Sequence, residues 1–115
     1  MTTELAPLNI TEMQRKAQED IVIELSSDIY SYFQYIITRS PANKTAQFTV
    51  YAFDYHECDC FYHIQGLLHE ELSGLFPETT IRIRYSANNE WWRYAVCCCI
   101  PPRFIGDRLS IEISW

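Results

Sequence analysis

The chain is poor in glycine, with only three in 115 residues. A phosphate-binding loop needs several closely spaced glycines, because the backbone must approach the phosphate groups without side chains in the way. The sequence therefore excludes the nucleotide-binding classes that depend on a glycine-rich loop.

Long apolar runs are also missing. No stretch of 18 apolar residues occurs, so we expect no membrane-spanning segment and no membrane partner. Residues 1–7 have neither the basic start nor the apolar core of a secretory signal. These two absences predict a cytoplasmic protein.

Basic residues are scarce and unevenly placed. Nine lysines and arginines face fifteen acids, which gives a formal charge of −6. Residues 1–78 carry −8 and residues 79–115 carry +2. Phosphate repulsion makes such a chain a poor general binder of nucleic acid. The positive region could still accept one anionic ligand or an acidic partner.

Length and composition predict one globular domain over residues 1–115. The hydrophobic fraction of 48% and the aromatic fraction of 15% exclude a disordered chain. So many aromatic side chains cannot all be buried in a small domain. We therefore expect some of them at a partner surface, since tyrosine and tryptophan suit contacts that are partly apolar and partly wet.

Two stretches have helical periodicity. The first runs from about Thr11 to about Arg39, with Asn9 or Thr11 as the cap and with a bend expected near 26–28. The second begins at Asp54, which fits a capping box, and ends before Pro77. Its predicted buried stripe consists of Cys60, Phe61, Ile64, Leu67, Leu68, Leu72 and Leu75.

Four stretches are predicted to be strands: 47–53, 80–85, 91–100 and 109–115. The first is apolar at nearly every position, which predicts a central place in the sheet. The order α-β-α-β-β-β predicts the α+β class, with two helices packed on one face of a four-stranded, mostly antiparallel sheet.

Strands 80–85 and 91–100 alternate between apolar and basic residues and are expected to form a hairpin. A turn at Asn88 and Asn89 sets Arg84 opposite Arg93, and like charges at opposed positions destabilise a sheet. One interpretation is a docking patch for an anion or an acidic partner, formed by Arg82, Arg84, Trp91 and Arg93 together with the hairpin tip at Asn88 and Asn89, with Arg108 beside them. The alternative is a solvated face neutralised by Glu112 or by a helix acid.

No catalytic or metal motif is convincing. His56, Cys60 and His63 share one side of the predicted helix and could hold zinc with a cysteine from 97–99, but no C-x-x-C pair supports this. Cys58 as a nucleophile has no third, orienting residue. We therefore predict no enzyme, no cofactor and no metal, with all five cysteines reduced.

The function hypothesis is a small, non-enzymatic cytosolic protein that binds another macromolecule. An inhibitor, immunity or adaptor protein of phage or bacterial origin would fit. The alternative is a small-ligand binder, in which the arginines clamp a nucleotide or other phosphate and Trp91 stacks on a base. Two further contacts are hypothesised: an acidic flank of the first helix (Glu12, Glu19, Asp20, Glu24) and a homodimer seam (Tyr30, Tyr32, Phe33, Tyr35).

Overall fold

The computed structural model describes residues 4–55, 59–87 and 106–115. Within them lie two α-helices, α1 (Ile10–Arg39) and α2 (Gln65–Leu75), and one 3-10 helix (Ala52–Tyr55). Three strands, β1 (Thr45–Tyr51), β2 (Thr80–Ser86) and β3 (Arg108–Ser114), form an antiparallel sheet in the order β1-β3-β2. The α+β class, the two helices and the antiparallel sheet are thus confirmed.

The sheet differs from the prediction in two respects. The described residues form three strands rather than four, and the predicted strand 91–100 lies outside them. Within the described sheet the central strand is β3, and β1 lies at an edge. For this sheet the prediction of a central β1 is therefore wrong, because strand order depends on which strands pair and an apolar sequence does not determine it.

Both helices pack on one face of the sheet, where the apolar side chains of all three strands point. Leu109, Ile111 and Ile113 of β3 are at most 1% exposed. They share one core with Val22, Leu25 and Ile29 of α1, with Leu68 and Leu72 of α2, and with Phe48 and Ile81 of the outer strands. The opposite face of the sheet carries the polar residues of the same strands.

Helix α1 is continuous through the serine pair at which a bend was expected. Of the two candidate caps, Asn9 is the one used: its side-chain oxygen accepts a hydrogen bond of 3.1 Å from the backbone N–H of Glu12. The buried stripe begins only at Val22. Ile10 and Met13 are 65% and 53% exposed, so the start of the helix projects into solvent even though its apolar residues recur at helical spacing.

Helix α2 begins eleven residues after the predicted cap at Asp54. The chain first makes the 3-10 turn, which is tied to the sheet because the Ala52 N–H donates to the Asp107 carbonyl at 2.9 Å. The buried Tyr55 then donates its hydroxyl proton to the Asp28 carboxylate of α1 at 2.7 Å. These two hydrogen bonds hold the segment against the sheet and against α1. A helix that started at Asp54 would not keep them, and α2 therefore starts later.

We expect Tyr55→Phe to lower the free energy of unfolding by about 1–2 kcal/mol, since a hydrogen bond to a carboxylate is lost. Burial, and next the bond to Asp28, raise the pKa of the Tyr55 phenol. The folded state thus favours the protonated phenol, so this stabilisation is complete below the unfolded-state pKa of about 10 and is lost as the pH rises above it. Urea unfolding from pH 7 to 11 should show a steeper decline for the wild type than for Tyr55→Phe.

Ser26 is buried in α1, and its hydroxyl has no hydrogen-bond partner among the described residues. Ser26→Ala removes this uncompensated polar group and should raise the free energy of unfolding by about 1 kcal/mol or more. Ser27→Ala, at the exposed neighbour on the same helix, is the matched control and should give only the gain in helix propensity, a few tenths of a kcal/mol. Equal gains from the two substitutions would contradict the cost assigned to the buried hydroxyl.

Candidate binding face

The polar face of the sheet is formed by cross-strand rows, each with one residue from β1, β3 and β2 in turn. One row contains Gln47, Glu112 and Arg82; the next contains Thr49, Ser110 and Arg84; the third contains Tyr51, Arg108 and Ser86. Because the register fixes these rows, three predicted site residues, Arg82, Arg84 and Arg108, lie on one face. We call this surface the arginine face.

Arg82 and Arg84 point to the same side of β2, and their Cα atoms are about 6.6 Å apart at strand spacing. Arg108 is diagonal to Arg84 across the β2–β3 pair, a separation of about 7–8 Å. All three side chains are exposed. Ion pairs in the described part of the chain involve only Arg15, so none of the three arginines forms an ion pair with a described carboxylate.

The acids available to neutralise the arginines are few. The helices lie behind the sheet, so their carboxylates are separated from the arginine face by the core. Glu112 lies directly opposite Arg82, yet its Oε2 accepts a hydrogen bond of 3.3 Å from Gln47 Nε2. Asp107 accepts a hydrogen bond from Tyr85 and thereby contributes to the raised pKa of that phenol, which is due first to burial. Within the three described strands, these guanidinium groups therefore share their face with a single carboxylate, that of Glu112.

A recess of about 330 Å³ opens between these side chains. Hydroxyl and amide groups line it beside the arginines, and they come from Gln47, Thr49, Ser86 and Ser110. Guanidinium groups donate paired hydrogen bonds to carboxylate or phosphate oxygens, and hydroxyls add further donors. The recess can therefore hold one anionic group. Sequence reasoning missed Gln47 and Thr49 because it did not place β1 beside β3.

Four predicted site residues, Asn88, Asn89, Trp91 and Arg93, lie outside the described residues. The opposition of Arg84 and Arg93 therefore stays a prediction. Within the described sheet, Arg84 has Ser110 opposite it, on the β3 side. The basic character of the face thus already follows from β2 and β3.

The structure does not bring the three residues of the predicted zinc cluster together as ligands within the described part of the chain. Cys60 is disulfide-bonded, so its sulfur is not a thiolate ligand and the expectation of five reduced thiols is wrong at this position. His56 lies outside the described residues, and His63 precedes α2 rather than lying on it. No group of three metal-ligating side chains occurs within the residues described.

A larger groove, of about 760 Å³, lies between α1 and the turn that precedes α2. Its walls include the titratable side chains Asp20, Asp59 and His63. No hydrogen bond joins these three to one another, so the described residues assemble no acid–base pair there. The groove is large enough for a ligand, but its described side chains form no catalytic arrangement.

Comparison of the chain with protein-family models, with curated proteins and with solved structures finds no match in any of the three. Among the described residues, no helix is both long enough and apolar enough to cross a bilayer. The cytoplasmic location stays a prediction, and the disulfide at Cys60 is more typical of oxidising compartments.

The disulfide at Cys60 gives a count that can be measured. The chain has five cysteines, and an intramolecular disulfide consumes two of them. Alkylation of the denatured, unreduced protein should therefore label no more than three cysteines, and prior reduction should raise the count to five. Intact mass spectrometry reads both numbers. Five labelled cysteines without reduction would contradict the disulfide.

Proposed function

We propose that this protein is a non-enzymatic binding protein whose arginine face docks an acidic surface of another macromolecule. The observation that supports the proposal most directly is the exposed group of Arg82, Arg84 and Arg108 on one face of the sheet, where the described strands contribute one carboxylate. Arginine is enriched at the energetic centres of protein interfaces. An inhibitor, immunity or adaptor role is consistent with such a surface.

The shape of the face favours a macromolecular partner. A small-ligand site usually encloses most of its ligand within apolar walls. The recess on the arginine face is instead lined mainly by polar side chains. Complementary charge would steer an acidic protein towards this face even though the whole chain carries −6.

The second candidate is a small-ligand binder for a nucleotide or another phosphate. The hydroxyls of Thr49 and Ser110 favour it, because they lie in the same row as Arg84 and can complete the coordination of a phosphate. In this candidate, Trp91 also stacks on the base of a bound nucleotide. The recess itself is lined by described residues, and Trp91 lies outside them.

The double variant Arg82→Gln/Arg84→Gln tests the proposal. An affinity-tagged wild-type chain should retain a partner from an extract of the source cells, and the double variant should lose it. Double replacement at one interface should weaken binding by about a hundredfold, since each lost charged contact costs about tenfold or more. The affinity of the recovered partner is then measured by titration calorimetry at two salt concentrations.

Lys16→Gln is the control, because it removes a positive charge from an exposed position of α1, far from the arginine face. It should leave the partner's affinity within about twofold, as remote surface charges contribute little. If the control and the double variant lost the same amount of affinity, net charge alone would explain the effect. That result would overturn the assignment of the arginine face as the binding site.

A nucleotide panel separates the two candidates. A specific ligand at about 100 times its Kd stabilises the folded chain by about 2.7 kcal/mol, which appears as a clear rise in Tm. A rise with one nucleotide that is absent in the double variant would replace the macromolecular proposal with the small-ligand one. No rise with any nucleotide, together with a partner lost in the double variant, supports the first proposal.

A further inference from the structure

Strand β1 has one edge that no described strand occupies. It pairs with β3 along its whole length, from Thr45 to Tyr51, and lies at the end of the β1-β3-β2 order. Backbone N–H and C=O groups of alternate residues in an edge strand point away from the sheet. Such an edge is a template for another strand.

The sequence of β1 lacks the features that protect edge strands in monomeric proteins. TAQFTVY contains no charge, no proline and no glycine. Its seven residues pair in regular register with β3, so no bulge interrupts it. An uncharged, regular edge rich in β-branched and aromatic residues favours pairing with a further strand.

Exposed aromatic side chains of α1 flank the same edge. Tyr32 and Tyr35 are stacked with ring centroids 6.3 Å apart, and they are 51% and 53% exposed. The ring of Tyr32 also packs edge-on against Phe48 of β1 at 5.1 Å. Beside this contact, a groove of about 170 Å³ runs between α1 and β1, and its walls include Ile29 and Val50.

We propose that a second copy of this chain docks here, with its β1 antiparallel to the first and with Tyr32 and Tyr35 of both copies at the seam. A twofold axis between the strands makes the contact self-complementary, so each edge satisfies the other. The charges favour this occupant. Although the chain carries −6, the strands that meet are neutral, and antiparallel pairing brings the basic flank at Lys44 towards the acidic flank that follows β1 in the other copy.

The pairing gives the tyrosines a role that the monomer does not. The α1 helices of the two copies lie on the same side of the joined sheet, next to the axis, because antiparallel pairing in one sheet preserves its faces. The rings of Tyr32 and Tyr35 then fill the grooves between α1 and β1 and bury aromatic area. Of the aromatic residues hypothesised to form a homodimer seam, Tyr32 and Tyr35 are the ones placed at this contact. Phe33 is excluded because it already packs against Phe76 and Trp115 within the chain.

The dimer would also join the two arginine faces. Both lie on one side of a six-stranded sheet, and the two β2 strands are five strand spacings apart, about 24 Å. A partner with two acidic sites at that distance would bind both copies with increased avidity. This consequence rests on the proposed function, whereas the pairing of the β1 strands does not.

Sedimentation equilibrium over a concentration series tests the pairing. The wild type should fit a monomer–dimer equilibrium, and Tyr32→Glu should weaken the dimer by about tenfold or more, because it places two like charges at the seam. Tyr62→Glu is the matched control, since Tyr62 is 59% exposed and precedes α2. It should change the dimer constant by less than about twofold.

A second variant guards against a folding defect in the first. Thr49→Lys places a charge on the edge strand, as natural edge strands do, and should weaken the dimer by a similar factor. Thr80→Lys, at an exposed position of β2, is its control. Circular dichroism and urea unfolding of each variant as a monomer should match those of the wild type, which would exclude a folding defect as the cause of a weaker dimer.

Hydrogen exchange locates the contact. Amides of residues 45–51 that face away from β3 should exchange more slowly at high than at low protein concentration in the wild type, and Tyr32→Glu should abolish the difference. A wild type that stays monomeric up to about 1 mM would overturn the proposal. A dimer that both test variants leave unchanged, or one without concentration-dependent protection in β1, would overturn it equally.

Discussion

The strict alternation of side chains in β3 is the constraint on which the rest of the structure depends. Leu109, Ile111 and Ile113 point into the core and are almost completely buried. The intervening residues, Arg108, Ser110 and Glu112, point the other way. Because β3 pairs on both sides, its register assigns each residue of β1 and β2 to a face. A slip of one residue would bury arginines and expose isoleucines, so the apolar core itself maintains the arginine face.

The helices are less strictly determined by periodicity. In α1, apolar residues continue at helical spacing from Ile10 onwards, yet burial starts only at Val22, where the sheet and α2 provide surfaces to cover it. The helix therefore combines a packed half with a projecting half. Hydrogen bonds then fix what packing leaves open: Asn9 sets the start of α1, and Tyr55 attaches the 3-10 turn to Asp28.

Sequence patterns predicted what depends on local repetition. The extent of α1, the strands β2 and β3, the end of α2 before Pro77 and the shared side of Arg82 and Arg84 all follow from spacing. The edge position of β1 did not, because an apolar strand reads the same whether one neighbour or two adjoin it. The late start of α2 depends on the contact between Tyr55 and Asp28, which lie 27 residues apart. The parts of the candidate site on β1, Gln47 and Thr49, were missed for the same reason: they follow from strand order, which one sequence does not determine.

The cost of the arginine face bears on why it persists. Two unit charges at the Cα spacing of Arg82 and Arg84, about 6.6 Å, repel in water by about 0.6 kcal/mol, and physiological salt, with a Debye length of about 8 Å, reduces this further. Glu112 offsets part of the remainder from its position opposite Arg82. The arginine face therefore lowers the stability of the free chain only slightly. The stability of the fold does not by itself explain why three arginines lie there. An anion placed between the arginines would gain more than their repulsion costs, because charge-assisted hydrogen bonds replace solvation at two guanidinium groups at once. If the proposed partner binds at the arginine face, its anionic groups would relieve this repulsion, and that relief would contribute to the affinity.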